Sequence, residues 1–258
     1  MNLLDSHCHL DDEKFNTDRE KLIEDIRDAG FKNLISAGYS LKSSEEAIKL
    51  ANRYDFIYAT CGISPNDIPQ NEEQLWKDLY EIKKMIKLNT KIVAIGEIGL
   101  DYYWNTDNKD LQKKAFIAQI DLANELDLPI VIHTREAVMD TIDILKKNDV
   151  KNKGVFHCCP LNRELVKEAI KLQFYISFAG PVTFKNSKNA DEIIQMVPVD
   201  RILIETDSPY LSPEPFRGKR HDPRNVRVIA EKVANVKNMP VEELVNNIFE
   251  NAKKIFKF

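Results

Sequence analysis

Six side chains able to hold a divalent metal stand at the ends of apolar runs in this sequence. His7 and His9 lie in Asp5-Ser6-His7-Cys8-His9. Alternate residues of a strand share a face, so the two imidazoles point the same way, about 7 Å apart along the chain, and can share a metal. Cys8 points away and is not counted as a ligand. Glu97 closes Ala94-Ile95-Gly96-Glu97-Ile98. A carboxylate flanked by apolar residues is expected to be buried, which is costly without a cationic partner. His133 ends Ile130-Val131-Ile132-His133, His157 ends Val155-Phe156-His157, and Asp207 follows Ile202-Leu203-Ile204-Glu205-Thr206. Taken singly, each has a plainer reading. A strand-end histidine is usually a satisfied structural residue, and a buried Glu often pairs with Lys or Arg. Six such residues at the ends of five runs point instead to a metal site.

These ends belong to a repeating unit: a short β-branched run, a loop, then an amphipathic helix. The runs are Leu3–His7, Asn33–Ala37, Phe56–Cys61, Ile92–Ile98, Ile130–His133, Val155–His157, Phe174–Phe178 and Ile202–Glu205. Most are continuously apolar, as parallel strands buried on both faces are. Thr17 with Glu20 and Ser43 with Glu46 have capping-box spacing at two expected helix starts. Leu111, Ala115, Ala118, Leu122 and Leu126 mark one apolar face of a long helix. Eight strand–helix units in 258 residues predict an α/β fold, a single (β/α)8 TIM-barrel domain over 1–258, rather than an open doubly wound sheet. No Gly-x-Gly-x-x-Gly follows the first run and there is no phosphate-loop motif, so nucleotide-cofactor folds have no support. In a barrel the strand C-termini converge on one rim. Four His and two carboxylates there exceed one four-coordinate site and suit two metals about 3.5–4 Å apart sharing a carboxylate. Imidazole and carboxylate donors suit Zn, Mn, Fe, Co or Ni better than Ca, with Mg weaker.

Composition narrows the class. The 258 residues carry 37 Lys and Arg against 41 Asp and Glu, a net charge of −4, which argues against a protein that grips long duplex DNA by charge alone. Hydrophobic residues make up 43% of the chain, enough to build a core. No run is long enough for a membrane span and no signal peptide is visible. Cys8, Cys61, Cys158 and Cys159 form no C-x-x-C pair. They are expected to be reduced thiols in a cytoplasmic protein, and a monomer with no membrane partner is the default expectation.

Longer motifs around these residues resemble the TatD family of metal-dependent deoxyribonucleases. They are Asp5-Ser6-His7-Cys8-His9-Leu10, Gly96-Glu97-Ile98-Gly99-Leu100-Asp101-Tyr102-Tyr103, Ile132-His133-Thr134-Arg135, Glu205-Thr206-Asp207-Ser208-Pro209-Tyr210-Leu211 and Arg217-Gly218-Lys219-Arg220, with Asn251 and Phe256 near the end. The resemblance spans nearly the whole chain. It implies a barrel of the amidohydrolase type holding two divalent ions, with Mg, Mn, Zn, Co and Ni all open. It implies that His7, His9, Glu97 and Asp207 bind one ion and Glu97, His133 and His157 the other, with Glu97 bridging. It also implies cleavage of phosphodiester bonds in DNA, often as a 3′→5′ exonuclease on single-stranded ends.

The sequence departs from the family pattern in three places. Ser64 stands where a His usually precedes Pro65, Cys159-Pro160 replaces an aromatic and Ser after Cys158, and His221 replaces an Asn after Arg220. None removes a ligand, and the first two fall in rim loops, where substrate preference is set. Asp207 and Glu97 are the expected catalytic groups, Asp207 orienting the attacking water and taking its proton. Arg135, Arg217 and Lys219 are the candidate phosphate contacts; Arg135 has an alternative as a salt bridge to Glu136 or Asp101. Tyr102, Tyr103 and Trp104 are candidates for base stacking or for rim packing. A related barrel hydrolysing a small phosphoester or amide is the alternative. Many such barrels resemble this one but use a fourth-strand lysine as a carbamate bridge, where Glu97 stands here.

Overall fold

The chain is described by a computed structural model covering residues 2–258. Eight parallel strands alternate with helices: β1 (Leu3–Cys8), α1 (Arg19–Asp28), β2 (Phe31–Ala37), α2 (Leu41–Arg53), β3 (Ile57–Cys61), α3 (Glu72–Leu88), β4 (Ile92–Asp101), α4 (Lys109–Leu126), β5 (Ile130–Arg135), α5 (Val138–Lys147), β6 (Gly154–Phe156), α6 (Arg163–Lys171), β7 (Tyr175–Phe178), α7 (Ala190–Met196), β8 (Ile202–Ile204), α8 (Val226–Lys237) and α9 (Val241–Phe256). Each strand pairs with its sequence neighbour, in the order β1 to β8. This is the (β/α)8 barrel that the apolar runs predict. β4 and β5 extend further toward the rim than expected, because Gly99, Leu100 and Asp101 pair with His133, Thr134 and Arg135. Only glycine fits at position 99: its φ is +139°, and a Cβ would lie 2.0 Å from the His133 carbonyl oxygen.

The barrel closes between β8 and β1 without a regular ladder among the described residues. The Asp207 N–H donates to the His7 carbonyl (2.9 Å) and the His9 N–H to the Ser208 carbonyl (2.8 Å). Asp5 is fully buried and accepts bonds from the Thr206 N–H (3.0 Å) and hydroxyl (2.5 Å). Below this seam α9 packs on β1 and β8, and the Asn251 amide donates to the Val199 and Ile202 carbonyls, 2.9 Å each. Those bonds tie α9 to the start of β8.

Two local expectations are corrected. Neither capping box forms. α1 starts at Arg19, beyond Thr17, and its N-cap Asp18 instead binds Arg220. α2 is capped by Ser40, while Ser43 donates to Asp11. The buried face of α4 also centres elsewhere: Gln112, Phe116, Gln119, Ile120 and Ala123 are buried along with Ala115 and Leu122, while Leu111, Ala118 and Leu126 lie at its margin. The two glutamines face the barrel because the backbone needs them. Gln112 binds the N–H and carbonyl of Asp101 (2.8 and 3.0 Å), and Gln119 those of Ile63 (2.7 and 3.0 Å). No helix among the described residues is long and apolar enough to cross a membrane.

Candidate metal centre

The C-terminal rim brings all six expected donors together. β1 delivers His7 and His9, whose Nε2 atoms lie 3.4 Å apart, closer than their spacing along the strand because both rings lean inward. Cys8 points away, toward the Ile35 carbonyl. Asp207 follows β8 with φ +57°, a left-handed conformation uncommon for non-glycine residues and often found where structure is held for function. Its Oδ1 lies 3.2 Å from His9 Nε2 and 3.7 Å from His7 Nε2. On the other side, His133 Nδ1 and His157 Nε2 are 3.2 Å apart.

Glu97 stands between the two groups and offers each a different oxygen. Oε2 lies 3.5 Å from His7 Nε2 and 3.8 Å from His9 Nε2, and Oε1 lies 2.9 Å from His133 Nδ1 and 3.4 Å from His157 Nε2. Three sets of donor atoms fall within 4.8 Å of one another: His7, His9 and Asp207; Glu97, His133 and His157; and His7, His157 and Glu205.

The outer nitrogens show what the inner ones require. His9 Nδ1 faces the Ala37 carbonyl (3.1 Å), which can only accept, so that nitrogen carries the proton. His133 Nε2 faces Asp101 Oδ2 (2.9 Å) and His157 Nδ1 faces Glu205 Oε1 (3.3 Å). In the neutral rings the inner nitrogens therefore present lone pairs to one another and to carboxylates, a repulsive arrangement that a cation resolves. This carboxylate–histidine ordering is the usual second layer of a metal site. The electrostatics agree. Burial alone would raise the Glu97 pKa, but His157, His133 and His7 hold its carboxyl well below the usual range. Burial likewise opposes the ionisation of Asp207, yet His9, His157 and His7 keep it low. Against burial, Asp207 and Glu97 raise His9 to about 9. The site attracts positive charge, and its donor chemistry fits divalent ions.

Sequence reasoning passed over Asp101 and Glu205 as functional residues. Both lie in the quoted motifs, and Glu205 shares strand parity with Asp207. Each orients an imidazole through its outer nitrogen. Asp101 is fully buried: Oδ1 accepts the N–H groups of Tyr103 (2.9 Å) and Trp104 (3.0 Å), while Oδ2 also accepts from Asn66 (3.2 Å).

A cleft of about 970 Å³ opens over the centre. Arg135 lines it with its guanidinium 3.8 Å over the Tyr103 ring and 5.4 Å from that of Trp104. Neither Glu136 nor Asp101 forms an ion pair with it among the described residues. Tyr103 and Trp104 are exposed, whereas Tyr102 is half-buried and donates to Asp140. Arg217 and Lys219 are exposed but do not line the cleft; Arg217 lies over Phe184, 4.2 Å from its centroid. Ser64, Cys159 and Pro160, at positions departing from the expected pattern, do line it, and Ser64 donates to Asp67. His221 is buried and does not line the cleft, with Nδ1 2.6 Å from the Tyr210 carbonyl.

Fold and centre together define a metal-dependent hydrolase on an amidohydrolase-like barrel. Related proteins are described in the same terms: an uncharacterized metal-dependent hydrolase, YabD, of Bacillus subtilis is 43% identical, covering 99% of both chains. Another, YcfH of Escherichia coli K12, is 37% identical across 99% of this chain and 96% of its own. The TatD homologue YjjV of E. coli superposes with a TM-score of 0.93 at 24% identity, over 99% of this chain and 98% of its own, and shares the fold. A profile described as TatD related DNase matches residues 4–257, and the chain belongs to that family.

Proposed function

We propose that this hydrolase cleaves phosphodiester bonds of DNA, as a 3′→5′ exonuclease on single-stranded ends. The observation that carries the reading is Glu97, whose two oxygens face separate donor groups. That arrangement suits a pair of ions flanking one phosphate. His7, His9 and Asp207 would hold one ion, His133 and His157 the other, with Glu97 shared. Divalent ions bound there would supply charge neutralisation at phosphate oxygens and would lower the pKa of a water. As the water oxygen bonds to phosphorus, the bond to the leaving sugar oxygen breaks, and that oxygen takes up a proton from solvent to leave as a hydroxyl. Asp207, kept ionised by its histidine neighbours, orients the water and accepts its proton. Arg135, stacked on Tyr103 and without a carboxylate partner, is preorganised to grip a phosphate oxygen.

The test is degradation of end-labelled single-stranded DNA in EDTA, then with Mg²⁺, Mn²⁺ or Zn²⁺ restored, beside a His133→Ala/His157→Ala control. A metal-restored ladder shortening from the 3′ end, absent in the control, is expected. Asp207→Asn should fold normally and lose activity by about 10²–10⁴-fold, the usual contribution of a positioned base; a near-normal rate would remove its assignment. Metal binding without DNA cleavage would shift the reading to a small phosphoester or amide.

A further inference from the structure

The cleft is asymmetric in a way that bears on how much of a strand it holds. Its residues come from two halves of the rim. The loops after β3, β4 and β5 supply the polar half, with Ser64, Asn66, Asp67 and Asn105, and with Arg135 beside Trp104. The loops after β6, β7 and β8 supply an apolar half, with Pro160, Leu161, Pro181, Val182 and Leu211. Arg135 is the one Lys or Arg among the lining residues. The basic loop that follows β8 adds none. Arg220 is tied to Asp18 through two bonds (2.7 and 2.6 Å) and to the Lys14 carbonyl (2.8 Å), and Arg217 lies on Phe184. A protein that follows a nucleic acid strand needs a succession of cations matching successive phosphates. This cleft has one. Its volume of about 970 Å³ is that of a small-ligand pocket.

Resting on the nuclease reading above, we propose that the cleft recognises a single nucleotide unit: one phosphate at the bridged donors and Arg135, and the attached base against the Pro160–Leu161–Val182 wall. The strand beyond that unit adds no binding energy. The enzyme then releases its substrate between cuts and takes short ends as readily as long ones. One of the family departures, Cys159-Pro160, lies in the loop after β6 that supplies Pro160 and Leu161 to this wall, and a proline there gives the base a stiff apolar support.

The experiment compares kcat/KM on oligothymidylates of three and about twenty nucleotides, at fixed divalent ion and varied monovalent salt. The two substrates should agree within about threefold. The log–log salt slope should lie near the value of about −0.7 for one neutralised phosphate on single strands. Arg217→Ala/Lys219→Ala should leave both values within about twofold, and Leu161→Asp should raise KM at both lengths alike. A preference above about tenfold for the longer strand, a slope steeper than about −2, or a length-dependent loss in the Arg217/Lys219 variant would overturn single-unit recognition while leaving the nuclease reading standing. No cleavage at either length, with metal bound, would overturn the nuclease reading and this inference with it.

Discussion

Asp101 shows how one carboxylate serves two neighbours. Oδ1 organises the Tyr103–Trp104 turn and Oδ2 fixes the His133 ring. Burial would raise its pKa, but the His133 and Trp104 bonds hold it at about 2, so it remains an acceptor for both. Asp101→Asn replaces one acceptor oxygen with a donor and must fail either the turn or the imidazole. Metal affinity, measured by calorimetric titration of the metal-free protein, should fall about 10–100-fold, as for other outer-layer partners of metal-binding histidines. Unchanged affinity would show that His133 needs no such support. The six donors were legible in sequence because side-chain type and strand-end position suffice to find them. Asp101 and Glu205 were not, because their role depends on which atom of an imidazole they face, and spacing does not report that. Arg217 and Lys219 were legible as a basic loop, but sequence could not show that the loop lies outside the cleft lining.

At the scale of elements, the eight apolar runs locate all eight strands, since strands buried on both faces are largely apolar, while the rim ends of β4 and β5 run two to three residues further because their polar residues belong to the centre. The helices were harder. The barrel face of α4 carries Gln112 and Gln119, which a hydrophobic pattern assigns to solvent, and each satisfies backbone groups at the end of a neighbouring strand. The outer ring carries its own electrostatics. Glu168 on α6 pairs with Lys146 of α5 (2.6 Å) and with Lys171 (2.5 Å), and these lysines lower its pKa to about 2. A depressed carboxyl pKa stabilises the folded state above the ordinary Glu range and loses that effect as pH falls through about 2. Thermal melts of wild type and Glu168→Gln should therefore differ at pH 6 and converge toward pH 2. A constant difference would mean that the glutamate acts through packing alone.

At the scale of the molecule, the centre gathers carboxylates and imidazole nitrogens that a divalent cation, displacing protons from the imidazoles, would hold together. Bound ions should therefore stabilise the whole barrel. With free metal at about a hundred times its Kd, linkage gives about 2.7 kcal/mol. For a chain of this length that corresponds to a Tm lower by about 5–10 °C after chelation. An unchanged melting temperature in EDTA would show that the donors rest comfortably without metal.

The seam between β8 and β1 bears on the protein's biosynthesis. His7 and His9 are made about 200 residues before their partner Asp207, and the hydrogen bonds that close the barrel arrive with it. The middle group of Glu97, His133 and His157 comes from consecutive strands and is complete long before. A growing chain thus lacks only Asp207 of the six donors while residues 158–206 are added. It gains the full donor set only when Asp207 reaches the strand that carries His7 and His9.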